Sequence, residues 1–395
     1  MEKATRQQTK EHNTRLVLKT IYQQEEVSRA EVARVTNLTR TTVSDIVAEL
    51  MEAGLLEEIG VGSSAGGKPP ILLNVRENAR QMVCLDLSGP DFRGGVVNLR
   101  GEVCHRQSLP LDGLTGEAAL GILYQLVDEL VAKAEAPLLG IGIGAPGLTD
   151  PERGILLRSV HLRWSDLPLK KLLEERFHRP VFLINDSHAA ALAEYTFGEL
   201  RQTPNLIVVR IGEGIGAGII LSGQLHYGDG YGAGEIGHLT VVEGGRQCSC
   251  GNYGCLETVA SPGALIQRMQ ELAEYDWISF SAHPSLKPGG ITWDFVRHSF
   301  QAGDETVTEL VKEAGRYLGI SIANLVSILN VHRIIISGSY VDFGEMFLEA
   351  ISSEVKQRAL LTTATETRIL NSILGPDHVI LGATAKVLSH EVGLP

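Results

Sequence analysis

The tightest constraint on this chain is the spacing His-x9-Cys-x-Cys-x4-Cys formed by His238, Cys248, Cys250 and Cys255. Three thiolates and one imidazole are the tetrahedral donor set that Zn²⁺ favours, and four protein ligands leave no position open for water, so the spacing predicts a structural zinc. Gly251 and Gly254 lie inside the knuckle, where the backbone has to turn back to bring the third sulfur to the metal. A disulfide is the rival reading. It is the weaker one, because Cys248 and Cys250 are too close for easy pairing and three thiols leave one over. Cys84 and Cys104, the other two cysteines, stand in apolar strand-like runs and are expected to fill core. Glu235 before the histidine and Glu257 after the last cysteine are not needed by the metal. Held by the knuckle, they are expected to face a common polar pocket.

The full string, Gly-Glu235-Ile-Gly-His238, nine residues, then Cys-x-Cys-Gly-x-x-Gly-Cys-x-Glu257, resembles the signature of the ROK family, which groups sugar kinases with sugar-responsive repressors. The resemblance implies a two-lobed actin-like (RNase H-like) α/β fold and a sugar site built from the knuckle and a strand-end acid.

The chain ahead of that body has its own pattern. Leu16, Val17, Thr20 and Ile21 form one helical stripe, and Ser28-Arg-Ala-Glu31 reads as a capping box opening a second helix. Thr39 is a good N-cap for a third, in which Val43, Ile46, Val47 and Leu50 make the buried stripe. Arg40, Thr41, Thr42 and Ser44 are then left outside at its N-terminus, where a recognition helix presents donors to the major groove. Two strands, Leu55 to Gly60 and Pro70 to Val75, follow around a glycine-rich tip that carries Lys68. This is a winged helix-turn-helix, expected over residues 1–78, and it resembles the DNA-binding domain of the repressor branch of the same family. Net charge is −12, but residues 1–80 are balanced, with 11 basic and 11 acidic side chains, so the acidic excess lies in the body. Lys3, Arg6, Lys10, Arg15 and Lys19 precede or line the first helix while acids gather from Glu49 to Glu58, which predicts a polarised domain.

Beyond Asn78 strands and helices alternate. Residues 79–190 are expected to form a first α/β lobe, with the C-terminal helix of 383–395 packing back on it, and 191–382 a second lobe carrying the zinc site and an oligomerisation surface. The first strand ends in Asp86-Leu-Ser-Gly-Pro90-Asp91, similar to the family's phosphate loop. Pro90 removes an N–H donor and Asp91 places an anion where phosphate would sit. Gly142-Ile-Gly144-Ala-Pro-Gly147 matches a dinucleotide fingerprint by letter, yet no helix opening follows it, so it reads as a strand-to-loop turn. Val181 to Asn185-Asp186 is an apolar strand ending in an amide and a carboxylate, the place where open α/β sheets bind ligands. Asp186 matches the catalytic base of the family's kinases; capping the following helix is the plainer role for it. Ser187-His188 depart from the usual Ala-Asn. Glu213, in Gly212-Glu213-Gly-Ile-Gly, stands where the kinases carry threonine and would repel a nucleotide phosphate. The insert from Tyr275 to Trp293 is unread.

Two functions compete. One is a transcriptional repressor whose body binds a sugar or derivative through Asn185, Asp186, Glu235, His238 and Glu257 without phosphorylating it, Asp186 being a vestigial base. The other is an ATP-dependent sugar kinase with a DNA-binding appendage, in which Asp186 still works. Pro90, Asp91 and Glu213 favour the repressor. Its expected partners are a pseudo-palindromic double-stranded DNA operator, a sugar effector and a second copy in a homodimer or tetramer. With no signal peptide and no membrane-length apolar run, a cytoplasmic location is expected.

Overall fold

A computed structural model describes residues 5–63, 69–275 and 290–394, so the wing-tip residue Lys68 and all but the ends of the insert lie outside the described residues. Helix α1 (Arg6–Gln24) starts at Thr5, which exchanges capping bonds with Gln8, and it buries Val17, Leu18, Ile21 and Tyr22. Strand β1 (Val27–Ser28) leads into α2 (Arg29–Thr36). Ser28 accepts from the Glu31 N–H, but the Glu31 carboxylate turns to Arg34, so half of the expected capping box forms. Helix α3 (Arg40–Glu52) is capped by Thr39 and buries the expected stripe of Val43, Ile46, Val47 and Leu50. Burial of each such side chain is worth roughly 1.5–3 kcal/mol, which is what holds so short a helix. Strands β2 (Leu56–Val61) and β3 (Ile71–Val75) pair antiparallel, and β1 adds to β3 to give the order β1-β3-β2.

The chain divides into two compact units, Met1–Ile184 with Ala383–Pro395, and Asn185–Gly382. In the first, β4 (Gln81–Asp86), β5 (Asp91–Asn98) and β6 (Val103–Pro110) form an antiparallel meander, covered by α4 (Gly116–Val131). Strand β7 (Leu138–Ala145) lies parallel to β4, and β11 (Val181–Asn185) lies outside it, giving the order β11-β7-β4-β5-β6. The glycine string at 142–147 runs from β7 straight into β8 (Leu148–Asp150), the first strand of a small sheet with β9 (Ile155–Ser159) and β10 (Trp164–Leu167), and α5 (Leu169–Phe177) follows. No helix opens on those glycines, as the sequence suggested. One expectation fails in this unit: Cys104 is exposed, because β6 alternates and sets it on the outer face, and only Cys84 fills core.

Within the same unit the winged helix is fastened to the meander. Arg100, at the β5–β6 turn, donates to the Tyr22 carbonyl at 2.7 Å and stacks over the Tyr22 ring at 4.4 Å, and its other terminal nitrogen donates to the Asn74 side chain. Arg80 donates to the Ala53 carbonyl at 3.1 Å.

The second unit repeats the sheet design. After α6 (Asp186–Phe197), β12 (Leu206–Ile211), β13 (Ile215–Leu221) and β14 (Gln224–Leu225) are antiparallel. Strands β15 (Arg333–Gly338) and β16 (Arg368–Asn371) then continue parallel from β12, giving β14-β13-β12-β15-β16. The short α7 (Glu257–Ala260) is separated at Ser261 from α8 (Pro262–Tyr275), since proline opens a helix but does not continue one. A long helix, Glu305–Leu329, capped by Asp304, presses Val307, Val311, Leu318, Ile322 and Val326 into the core with β12 and β15. Helices Gly344–Arg358 and Leu361–Glu366 precede β16, and His378–Glu391 ends the fold.

Candidate functional site

The knuckle forms from residues already in place for it. A 3₁₀ turn, Ile236–His238, sets the histidine, and backbone bonds from Cys248 N–H to Asn252 O and from Gly254 N–H to Arg246 O close the cysteine loop. Gly234 and Gly254 have φ of 92° and 68°, and a Cβ at either would lie within 2 Å of a carbonyl oxygen, 1.8 Å from Ala217 and 1.7 Å from Val242. No other residue fits at these two positions. The donor atoms of His238, Cys248, Cys250 and Cys255 all lie within 4.8 Å of one another, so the cluster can hold a metal ion. Cys250 Sγ to Cys255 Sγ is 3.7 Å and Cys248 Sγ to His238 Nδ1 is 3.5 Å. A tetrahedron with metal–sulfur bonds of about 2.3 Å requires sulfurs about 3.8 Å apart, whereas a disulfide needs them at about 2 Å. The thiols are thus at metal-ligand separation. Arg246 pairs with Glu271 and so pins the knuckle to α8.

His238 turns its other nitrogen, Nε2, toward Glu235, 3.8 Å away. Partial desolvation raises the Glu235 carboxyl above its ordinary value; the neighbouring Asp186 and Glu257 add to the rise and His238 opposes it. The structure therefore brings Asp186, Glu235, His238 and Glu257 into one electrostatic neighbourhood. Glu257 Oε2 also accepts from the Ile215 N–H at 3.3 Å, tying α7 to the turn between β12 and β13. Asn185 has a different duty. Its Oδ1 accepts from the N–H groups of Ser187 and His188 at 2.9 and 3.0 Å, so Asn185, rather than Asp186, caps α6.

Two neighbours escaped the sequence reading. Arg210 reaches Asp186 Oδ2 at 2.8 Å, a pair with both side chains about nine-tenths buried. The signal was a lone cation in the otherwise apolar run Leu206 to Ile211, since a buried guanidinium demands an acid. His188 sets its Nε2 2.9 Å from the Ala233 carbonyl and packs edge-on against Tyr227, joining α6 to the segment before the knuckle. Burial lowers its pKa, so the neutral ring is favoured.

In the first unit, the turn after β4 is closed on itself. Asp86 accepts from Ser88 N–H and hydroxyl on one oxygen and from Arg93 at 2.7 Å on the other. The Leu87 N–H goes to Gly144, and Pro90 has none. Asp91 begins β5 half-buried.

On the DNA-binding segment, Arg40, Thr41 and Ser44 are exposed at the start of α3, while Thr42 is half-buried with its N–H and hydroxyl engaged by Thr39. Two ion pairs link the basic and acidic stretches. Lys10 pairs with Glu49 and Arg29 with Glu58, because folding brings α1 to α3 and α2 to the wing.

Among the described residues no helix is long and apolar enough to cross a membrane. The ROK family pattern matches residues 82–390, and a winged helix-turn-helix DNA-binding pattern matches residues 10–57. The chain is 34% identical over 395 residues to the xylose repressor of Caldicellulosiruptor bescii, covering 98% of each chain. It is 30% identical over 383 residues to the DNA-binding transcriptional dual regulator NagC of Escherichia coli, covering 96% of this chain and 92% of that one. Among solved structures, a ROK family transcriptional regulator described as a homolog of the E. coli MLC protein aligns with a TM-score of 0.84 at 26% identity over 98% of each chain. A ROK family glucokinase from Streptomyces griseus, in complex with glucose and AMPPNP, aligns with a TM-score of 0.69 at 28% identity, over 77% of this chain and 98% of that one. With a winged helix-turn-helix ahead of an actin-like sugar-kinase fold, the chain belongs to the ROK family.

Proposed function

We propose that this protein is a sugar-responsive transcriptional repressor, whose body binds a sugar or sugar derivative and does not phosphorylate it. The observation that carries the reading is the contrast in bonding between the two ends a kinase would need. The turn after β4 has its Asp86 oxygens engaged within the hairpin, its Ser88 N–H bonded to Asp86 and its Leu87 N–H bonded to Gly144 on β7, and Pro90 removes a further donor, whereas the sugar-side acids stand together. Asp186, the expected base, has Arg210 on one oxygen and Ser187 N–H on the other. Held this way, Asp186 keeps acceptor sites for a hydroxyl while its charge is neutralised by Arg210, an arrangement suited to binding, with the guanidinium and carboxylates as charge-assisted partners for hydroxyls. Asn185 supports that surface by fixing the start of α6, and Glu235, His238 and Glu257 supply the rest. The named xylose and N-acetylglucosamine repressors among its relatives support the same reading.

His238, Cys248, Cys250 and Cys255 would hold a structural Zn²⁺, which supplies rigidity and no reaction step. Arg40, Thr41, Thr42 and Ser44 on α3, with Lys68 on the wing, would meet DNA. In a homodimer or tetramer, two recognition helices about 34 Å apart would read a pseudo-palindromic operator, and a sugar that prefers one arrangement of the subunits shifts DNA affinity by its differential binding. A DNA partner is consistent with a cytoplasmic location.

The test is a coupled ATPase and sugar-phosphorylation assay run beside operator binding, across a panel of sugars, sugar phosphates and amino sugars. The expected result is a sugar that changes operator affinity without turnover. Turnover abolished by Asp186→Asn would instead establish the kinase.

A further inference from the structure

At the amino ends of β12, β15 and β16, the edge of the second sheet away from the sugar-side acids, lies an open cleft of about 540 Å³. Asp186 and Glu257 engage β12 and β13 near the opposite ends, at Arg210 and Ile215. A six-residue strand separates the two edges by roughly 17 Å, so the cleft is a separate place.

Its chemistry is cationic. Arg333 and Arg368 open β15 and β16 and are register partners in that parallel pair, so their side chains leave the same face of the sheet on neighbouring strands. Like charges set side by side in this way are unfavourable, and among the described residues neither guanidinium has a carboxylate within 4.0 Å. His332 stands beside them with its Nδ1 shielded from solvent and lacking a hydrogen-bond partner, while its Nε2 is 3.5 Å from Glu366. Asn205 and Asn330 add amide groups to the wall. Two guanidinium forks against one acid, which already faces His332, leave a net positive cleft in which Arg333 has only a long 3.5 Å bond to the His332 carbonyl.

We propose that this cleft binds a small phosphate monoester. A phosphate monoester carries about −1.5 to −2 charges and three acceptor oxygens, which matches two adjacent forks; a carboxylate would satisfy one. The volume falls within the range of small-molecule sites and exceeds what a phosphate ion alone fills, so the ester's organic part has room against the asparagines. The site is independent of the sugar pocket, and its occupant is a second signal of different chemistry.

Isothermal titration of the full-length protein at fixed ionic strength tests this, with inorganic phosphate, a hexose 6-phosphate and the same hexose as probes. Binding of the ester, and more weakly of inorganic phosphate, is expected, with Arg368→Gln weakening both at least about tenfold and leaving hexose binding unchanged. Arg333→Gln is the second variant; should it fail to fold, the more exposed Arg368 keeps the test intact. Inorganic phosphate binding as tightly as the ester would assign the cleft to the free ion and overturn the ester. Absence of binding by either phosphate probe, an unchanged affinity in Arg368→Gln, or an ester indistinguishable from the hexose in every variant overturns the site.

Discussion

The hairpins β4–β5 and β12–β13 occupy the same place in the two sheets, yet they treat their polar groups in opposite ways. The first bonds inward: Asp86, Ser88 and Arg93 satisfy one another within a single turn. The second bonds outward: Arg210 leaves β12 for Asp186 on α6, and the Ile215 N–H takes Glu257 from α7. The difference teaches how a kinase fold can lose one substrate and keep the other. A loop whose acid, arginine and leading N–H groups are already bonded has little left to offer a phosphate, whereas a hairpin answered by acids from two other elements assembles a surface.

That contrast can be broken in order of expected effect. Stripping the metal, or Cys255→Ser, should act most strongly: a structural zinc contributes about 10–16 kcal/mol to isolated finger peptides, and part of that would be lost here as a lower melting midpoint together with loss of effector response. The outward hairpin depends on the knuckle through Glu257, and the inward one does not. Metal analysis that finds no zinc in protein purified without added metal would remove this prediction altogether.

Next, Asp186→Asn should cost about 3–5 kcal/mol, because it strands a guanidinium that is only 9% exposed, and it should blunt the sugar's effect on DNA binding. Asp86→Asn should cost less, since Arg93 is 34% exposed and water can take over, and the sugar response should survive. Equal effects of the two variants on that response would erase the distinction between the hairpins. Smaller again is Arg40→Ala, expected to lose about 1–3 kcal/mol of operator affinity if it reads a base, with sugar binding untouched, since neither hairpin is involved. Fluorescence anisotropy with operator and scrambled DNA separates a base contact from a phosphate contact.

The smallest effect concerns Glu194, two turns along α6 from Asp186. Burial raises its pKa, with Glu199 adding to the rise and the Ser372 hydroxyl opposing it. The folded state thus holds its proton more readily than the unfolded one. Its contribution is most favourable at low pH and is lost as pH climbs from the ordinary carboxylate value through the raised one. Glu194→Gln should remove that slope and leave the protein slightly more stable at neutral pH, by about 1 kcal/mol or less. Urea midpoints measured across mildly acidic to neutral pH decide it, and a steeper slope in the variant would reverse the assignment.

Much of this was legible in the chain. The cysteine spacing predicted the donor cluster because metal ligands close in sequence have few ways to meet, and the stripes of α1 to α3 followed from helical period alone. The Asp86 turn was suspected for Pro90 and Asp91, but its closure rests on Arg93, seven residues on, which becomes a neighbour only when β5 folds back on β4. Arg210 was similarly invisible as a partner of Asp186, since 24 residues and a helix separate them. That Asn185 caps α6 with its amide oxygen was also hidden, since the spacing left Asp186 as the plainer cap. The pairing of Lys10 with Glu49 was hidden for the same reason as that of Arg210, since it forms only when α1 and α3 meet. Local pattern predicts elements; it does not predict which charges those elements will introduce to each other.

The hold of Arg100 on Tyr22 and Asn74 bears on how such proteins can be rebuilt. A reading head joined by a loose tether can be exchanged for another without regard to what carries it. Here the head is seated by Arg100 of the β5–β6 turn together with Arg80, so a chimera that brings a foreign winged helix to this body must also bring residues for these two arginines to grip. A graft without them is expected to lose that seat, which operator binding with and without the sugar would reveal.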